Sequence, residues 1–374
     1  MKSSVVTSYL TTLFAVGLLS TQAAFAADVT EPEAEAPDTY PYVEGVLDLE
    51  LGDDWVFSSD DPTAEINDLY FSGALGMKVG LTPIFALNIG ITAESVLDPA
   101  PSTDRTFGDI GVYVDTLNLE ASLGMLTLVA GKYGPSFGSA WDITPGVYGT
   151  SFAEDYELSE MIGFGSAVEF ETGAAGTIIL GGNVFFADTT VLSDSILTSR
   201  GRTSLADGGL ANTEQLNNFS LTIDGSDIAA MPGFSYNLGY RHLSAGVTET
   251  ADEDGFVAGV AQEIELSGGD VVVVNGEIAY FTNYGGVSDD DAVYLTAGLG
   301  YVHGPWHGEV AGSLRLIDYS GGGSDDDHLI QVSAGYEFEN GIDVSAGYAN
   351  ASEGGVVSHT LGLRLTKSFE FSTR

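Results

Sequence analysis

Twelve charged residues recur at alternate positions within apolar segments: Lys78, Asp109, Asp115, Lys132, Glu169, Glu171, Arg241, Glu277, Glu309, Arg315, Asp343 and Arg364. Ser, His and Asp are all present, yet no segment sets them out as a hydrolytic triad. The chemistry open to such a set is electrostatic, because fixed charges along a watered wall choose and orient solutes. The competing role is structural, with the Lys and Arg pairing to neighbouring carboxylates and stiffening the wall. Three acidic runs, Asp252-Glu253-Asp254, Asp289-Asp290-Asp291 and Asp325-Asp326-Asp327, add hard oxygen ligands for calcium or magnesium, or a means of gathering cationic solutes. They lack the ligand spacing and glycine of a calcium-binding loop, so a solvated loop is the simpler reading. No cofactor is expected beyond loop-bound calcium. His303 and His307 flank a Gly-Pro-Trp turn that favours Trp306 as an interfacial anchor over a metal pair.

The elements that position these charges are short and alternating. From residue 42 onward the chain repeats segments of about ten residues with period two, the pattern of strands with one apolar face. Val293, Leu295, Ala297, Leu299 and Tyr301 make one such row. Ile330, Val332, Ala334, Tyr336 and Phe338 make another, alternating with Gln331, Ser333, Gly335 and Glu337. Sixteen segments can be counted, the first at 42–51 and the last at 356–371. Short links such as Gly80-Leu81-Thr82-Pro83 alternate with long polar ones such as 139–160 and 188–215.

Composition narrows the reading. The 374 residues include 54 Asp+Glu against 11 Lys+Arg, a formal net charge of -43, which excludes nucleic acid as a natural partner. With no Cys, disulfide scaffolds, thiolate metal sites and thiol catalysis are excluded together. A hydrophobic fraction of 44% and 10% aromatics exclude a charge-driven disordered chain. Residues 1–26 read as a secretory signal peptide, with Lys2, the apolar run Leu10 to Leu19 and the small-x-small site Ala24-Phe25-Ala26. Residues 27–41 read as an acidic, Pro-rich periplasmic tail, and 42–374 as a single β-rich domain.

An even number of antiparallel strands of membrane-crossing length, with short turns at one end and long polar loops at the other, describes a transmembrane β-barrel. A sheet can span hydrocarbon only by closing on itself, since every backbone N–H and C=O must be paired internally. The expectation is an all-β antiparallel barrel of about 16 strands in the outer membrane of a Gram-negative bacterium, with short periplasmic turns and long acidic outer loops. The twelve charges would then face the lumen, opposite the lipid. The connection 136–160, rich in aromatics and acids, either folds into the channel or lies over its mouth. The terminal strand ends on Phe369 and Phe371, an assembly-signal pattern from which Ser372-Thr373-Arg374 departs.

The run from Leu128 to Gly138 (LVAGKYGPSFG), followed by Asp142-Ile143-Thr144-Pro145 and then 157–163 (ELSEMIG), resembles the LbtU-type siderophore porin family. The resemblance covers about forty residues closely. It implies a sixteen-stranded porin without a plug that passes ferric siderophores. Together with the barrel pattern it leads to a cation-preferring outer-membrane porin for small hydrophilic solutes, with iron chelates among the candidate solutes; the alternation marks no flattened subunit face, so a single barrel and a homotrimer both stay open. The readings left open are a non-conducting barrel serving as adhesin or structural protein, and an outer-membrane hydrolase.

Overall fold

The computed structural model describes residues 39–373, so the expected signal peptide and residues 27–38 of the tail lie outside the described residues. Sixteen long strands follow one another: β1 (Tyr42–Ser59), β2 (Asn67–Gly80), β3 (Phe85–Ser95), β4 (Ile110–Leu123), β5 (Leu126–Tyr133), β6 (Met161–Glu171), β7 (Thr177–Ala187) and β8 (Asn218–Ser226). The second half comprises β9 (Phe234–Leu243), β10 (Glu253–Glu265), β11 (Val271–Thr282), β12 (Asp291–His303), β13 (Trp306–Asp318), β14 (Ser324–Glu337), β15 (Ile342–Glu353) and β16 (Val356–Ser372). Each pairs antiparallel with its chain neighbours, and β16 returns to β1 with Leu47 opposite Phe369 and Asp54 opposite Gly362. The closed antiparallel barrel of sixteen strands expected from the alternation is therefore present. Two two-residue pieces extend it: Arg105–Thr106 beside β2, and Ile196–Leu197 beside the start of β4.

The alternation decides which face goes where. Along β11, Val271, Val273, Asn275, Glu277, Ala279 and Phe281 point inward and are buried, whereas Val274, Ile278 and Tyr280 between them are exposed on the outside. The same outward apolar row runs round the barrel, with Phe164 56%, Leu221 53% and Leu363 55% exposed. Each such side chain would cost about 1.5–3 kcal/mol to leave in water. A continuous belt of them is stable only against lipid, and closure leaves no unpaired sheet edge inside it. Aromatic rings mark both ends of the belt. Trp306, Tyr336 and Phe338 meet edge to face in sequence, ring centres 4.7 and 4.9 Å apart, near the short turns, and Trp55 and Phe57 sit 5.7 Å apart near the other end.

Three expectations are corrected here. The first strand runs to Ser59 rather than residue 51, because Asp54 turns inward to Arg364 and keeps the pleat through the acidic pair Asp53-Asp54. The long connections are long only for the first part of the chain: residues 319–323 and then 354–355 suffice for the last two, the latter as Gly354-Gly355 with both φ positive. Asp325, Asp326 and Asp327 stand within β14 and not on a loop, since Arg315 on β13 holds Asp327 at 2.8 Å and the Tyr319 hydroxyl reaches Asp325 at 2.7 Å.

The buried apolar core lies inside the barrel. It joins Phe137, Trp141, Phe152 and Tyr156, from the connection after β5, to Phe185, Phe281, Tyr294 and Ile317 on the walls.

Candidate functional site

The connection 134–160 turns into the lumen instead of covering the mouth, and each step of that turn is fixed by a wall residue. Glu277 in the middle of β11 accepts the N–H of Ser139 at 2.7 Å and of Ala140 at 3.2 Å. It also accepts the Tyr156 hydroxyl at 2.7 Å, so a single carboxylate grips the incoming and outgoing limbs. Farther along, Asn275 donates to the Thr144 hydroxyl at 2.8 Å and Gln331 to the Pro145 carbonyl at 3.2 Å. Gly298 lets Pro145 seat itself, for a Cβ there would lie 2.5 Å from the proline Cδ. At the tip the Tyr148 hydroxyl donates to Asp54 on β1. The loop thus crosses from β5 and β6 to the opposite wall.

Three arginines complete the attachment. Arg241 on β9 donates to the Tyr156 carbonyl and pairs with Glu253, both at 2.7 Å, between the rings of Phe137 and Phe281. Arg315 on β13 bridges the loop carboxylate Asp155 at 2.7 Å to the wall carboxylate Asp327 at 2.8 Å, and reaches Glu353 at 3.2 Å. Arg364 on β16 pairs with Asp54 at 2.9 Å and lies over the rings of Tyr70 and Tyr148. Charges arranged this way are spent on each other.

The loop itself carries five carboxylates, Asp142, Glu154, Asp155, Glu157 and Glu160, and no Lys or Arg. Arg315 neutralises Asp155, while Lys132 and Arg200 share Glu160 at 2.7 and 2.6 Å. Asp142, Glu154 and Glu157 have no cationic partner among the described residues. Burial pushes Asp142 up to about 6. Glu157 is pushed up to about 7, by burial first and then by the charges of Glu154, Asp142, Asp115 and Glu160. Burial also raises Glu154, against the hydrogen bond from Thr150. Once ionised, these carboxylates concentrate negative charge on the loop inside the barrel.

The structure sorts the twelve sequence-predicted positions. Lys78 faces inward and pairs with Glu120 at 2.9 Å; Asp115 accepts the Thr92 hydroxyl at 2.7 Å. Glu309 accepts from Ser333 at 2.6 Å, and Asp343 meets the His307 ring at 2.8 Å, which separates His307 from His303 and its own partner Asp270. Glu169 and Glu171 are exposed at the short-turn end of β6. Asp109 is not a strand residue: it precedes β4 with φ 57° and lies 3.7 Å from Arg105. Lys132 is 1% exposed and enclosed by Glu160, Asp188 and the Leu192 carbonyl, because β5 ends at Tyr133 and the connection 188–217 closes over the gap. It meets no open lumen. Arg241, Glu277, Arg315 and Arg364 are inward but covered by the loop they hold.

Of the acidic runs, Glu253 is taken by Arg241, Asp254 accepts the Tyr240 hydroxyl at 2.6 Å, and Asp290 accepts the Ser320 N–H at 2.7 Å. Among the described residues no three His, Asp or Glu side chains are placed to hold a metal ion, Asp289, Asp291 and Asp326 included. Sequence reasoning missed Asp142, Glu154 and Glu157 as site residues. Their signal was the absence of any cation from 136–160.

No protein-family model and no curated protein matches the sequence. Among solved structures, the chain is similar to OmpF of Salmonella typhi, in a complex with daunomycin, at 12% identity over 87% of this chain and 97% of that one, with a TM-score of 0.62. It is similar to the outer-membrane channel DcaP of Acinetobacter baumannii at 12% identity over 87% and 96%, with a TM-score of 0.56. OccK1 of Pseudomonas aeruginosa aligns at 10% identity over 88% and 99%, with a TM-score of 0.52. The shared feature is the fold, that of outer-membrane porins.

Proposed function

We propose that this chain is an outer-membrane porin of a Gram-negative bacterium, a water-filled channel through which small hydrophilic solutes diffuse with a preference for cations. The observation that carries this reading is the acidic loop 134–160 pinned inside a closed barrel, with Asp142, Glu154 and Glu157 unpaired by any described cation. A sixteen-stranded barrel is wide enough for an aqueous path, and a loop that narrows it places its own charges where every solute must pass. The lipid-facing belt and the two aromatic zones support a membrane setting, with the short turns toward the periplasm.

Ferric siderophores remain in the proposal as solutes on the strength of the resemblance of residues 128–163. The excess of carboxylates favours chelates of neutral or positive charge over anionic ones. Assembly as a homotrimer belongs to the same proposal.

The test is single-channel conductance of the purified mature protein in a planar bilayer, with reversal potential under a KCl gradient. Discrete open steps with cation preference support the reading. A folded barrel that conducts nothing overturns it in favour of an adhesin or structural barrel.

A further inference from the structure

The geometry points to Arg200, on the connection 188–217 between β7 and β8, as the residue that positions the outgoing end of the internal loop and limits its preference for cations. The assignment rests on the channel reading above and adds a second, outer element to the constriction.

The connection 188–217 enters the barrel over a low stretch of wall. β5 ends at Tyr133, with Lys132 opposite Leu117, so residues 110–116 of β4 have no partner on β5. Ile196 and Leu197 fill part of that gap by pairing with Val112 and Gly111. The pleat then sends neighbouring residues to opposite faces. Ile196, level with the outward Val112, is 70% exposed, whereas Ser195 lies on the other side, where a Cβ on Gly111 would stand 2.9 Å from its Oγ. Past this crossing the chain reaches Arg200 inside the barrel. Its guanidinium lies 3.7 Å over the ring of Tyr113, which shares the inward face of β4 with Gly111 and stands opposite Thr92. An aromatic platform of this kind suits the flat guanidinium and fixes its orientation.

From that platform Arg200 joins three parts of the channel. Its Nε donates to the Ser193 carbonyl of its own connection at 2.9 Å, and a terminal nitrogen donates to Glu160, the last residue before β6, at 2.6 Å. The Tyr113 hydroxyl beneath it donates to Glu94 on β3 at 2.6 Å. Glu160 is the point where the internal loop rejoins the wall. Its φ of 53° is one that a residue other than glycine keeps only where its surroundings fix it, and its carbonyl accepts the Asp188 N–H at 3.2 Å. Lys132 does not suffice for this, because Asp188 holds the same ammonium at 2.7 Å. Without Arg200, Glu160, whose side chain is 22% exposed, would share one enclosed lysine with Asp188 and add negative charge to the passage.

The experiment uses the full mature chain in planar bilayers under a KCl gradient. Arg200→Gln should raise the cation-to-anion permeability ratio about twofold or more and increase open-channel current noise. Arg200→Lys keeps the charge and should keep the wild-type ratio. Arg202→Gln removes an equal charge from the same connection, at an exposed residue that donates to the Thr189 carbonyl, and should change neither reading. Since the chain has no Cys, Arg200→Cys offers a single thiol, and coupling it to aminoethyl methanethiosulfonate should bring the raised ratio back to wild type, whereas the neutral methyl reagent should not. An unchanged ratio in Arg200→Gln, equal shifts in Arg200→Gln and Arg202→Gln, or equal ratios in Arg200→Gln and Arg200→Lys overturn the assignment. Should Arg200→Gln fail to fold, Arg200→Cys before and after the charged reagent makes the same comparison. Should the wild-type barrel fold yet not conduct, the channel reading falls, and hydrogen exchange of residues 150–160 in the detergent-solubilised barrel decides the positioning role. Faster exchange in Arg200→Gln than in Arg202→Gln supports it, and equal exchange overturns it.

Discussion

The Tyr156 hydroxyl donates to Oε1 of Glu277 across 2.7 Å, tying the outgoing limb of the internal loop to the carboxylate that also holds the incoming limb. Replacing Glu277 with Ala strands the Ser139 and Ala140 N–H groups and the tyrosine hydroxyl, at about 1–3 kcal/mol for each group left buried without an acceptor. The loop should then leave its seat, with unitary conductance rising and current noise increasing in planar bilayers. Glu277→Gln keeps the shape and half the acceptor capacity, so its conductance should lie between the two. Identical conductance in all three proteins would mean that this loop does not set the narrowest point.

Gly298 tests the same seat without touching charge. A methyl group at this position meets Pro145 Cδ at 2.5 Å and the Asn275 side chain at the same distance, so Gly298→Ala must displace the loop bend or the strand. Overpacking of this kind costs about 1–3 kcal/mol. Conductance should change while the reversal potential under a salt gradient stays near wild type. A shift in reversal potential as large as that of a charge variant would contradict a purely steric role.

The loop carboxylates predict a pH response with a definite sign. Glu157, pushed from an ordinary 4.5 up to about 7, and Asp142, pushed from 3.8 up to about 6, hold protons in the folded barrel that the unfolded chain would release. Their stabilising contribution is complete below the unfolded values and is lost as pH rises through about 6 to 7. Acidification from pH 8 to 5 should therefore raise the melting temperature while lowering cation preference, because the negative potential at the constriction is being titrated away. Glu157→Gln should flatten the upper part of both profiles. A reversal potential that holds constant from pH 8 to 5 would remove these groups from the ion path.

Arg315 carries opposite consequences for charge and for stability. Arg315→Met leaves Asp155, Asp327 and Glu353 without their common partner. Breaking such a pair where one carboxylate is as covered as Asp327 costs about 3 kcal/mol. Cation preference should increase, and so should susceptibility to urea. A variant with lower stability but an unaltered reversal potential would confine Arg315 to holding the loop.

Strand number, closure and the outward apolar face were legible because period-two alternation survives in nearly every segment; Val293 to Tyr301 lie on β12 and Ile330 to Tyr336 on β14, with Phe338 one residue past its end. The same spacing places Lys78, Asp115, Arg241, Glu277, Glu309, Arg315, Asp343 and Arg364 on strands, whereas Asp109 precedes β4 and Glu169 and Glu171 stand exposed at the end of β6. What alternation does not encode is the third dimension inside the barrel. Lys132 keeps strand spacing, but β5 ends one residue later, and the long connection 188–217 then encloses it. Asp325 to Asp327 look like a loop by composition, and only the cross-strand arginine shows why β14 begins at Ser324. Asp142, Glu154 and Glu157 sit in a segment without period, where no pattern of spacing points to the wall it will meet.

Asp53 breaks the outward row. It alternates with Leu51 and Trp55, stands opposite Leu363 and Leu69, and has a buried Oδ1 with no partner among the described residues. An acidic side chain on the lipid face of a barrel is destabilising, though less so than Arg or Lys, whose cost at mid-membrane is about 2–4 kcal/mol. Asp53→Leu should therefore make the isolated barrel in lipid vesicles more resistant to urea by about 1 kcal/mol. If β1 faces another copy in the proposed trimer, the same substitution should also lower the oligomer fraction on native gels, because the carboxylate then has a donor on the partner to lose. Greater stability with an unchanged oligomer fraction would put the β1 face in lipid and move the subunit contact elsewhere on the barrel.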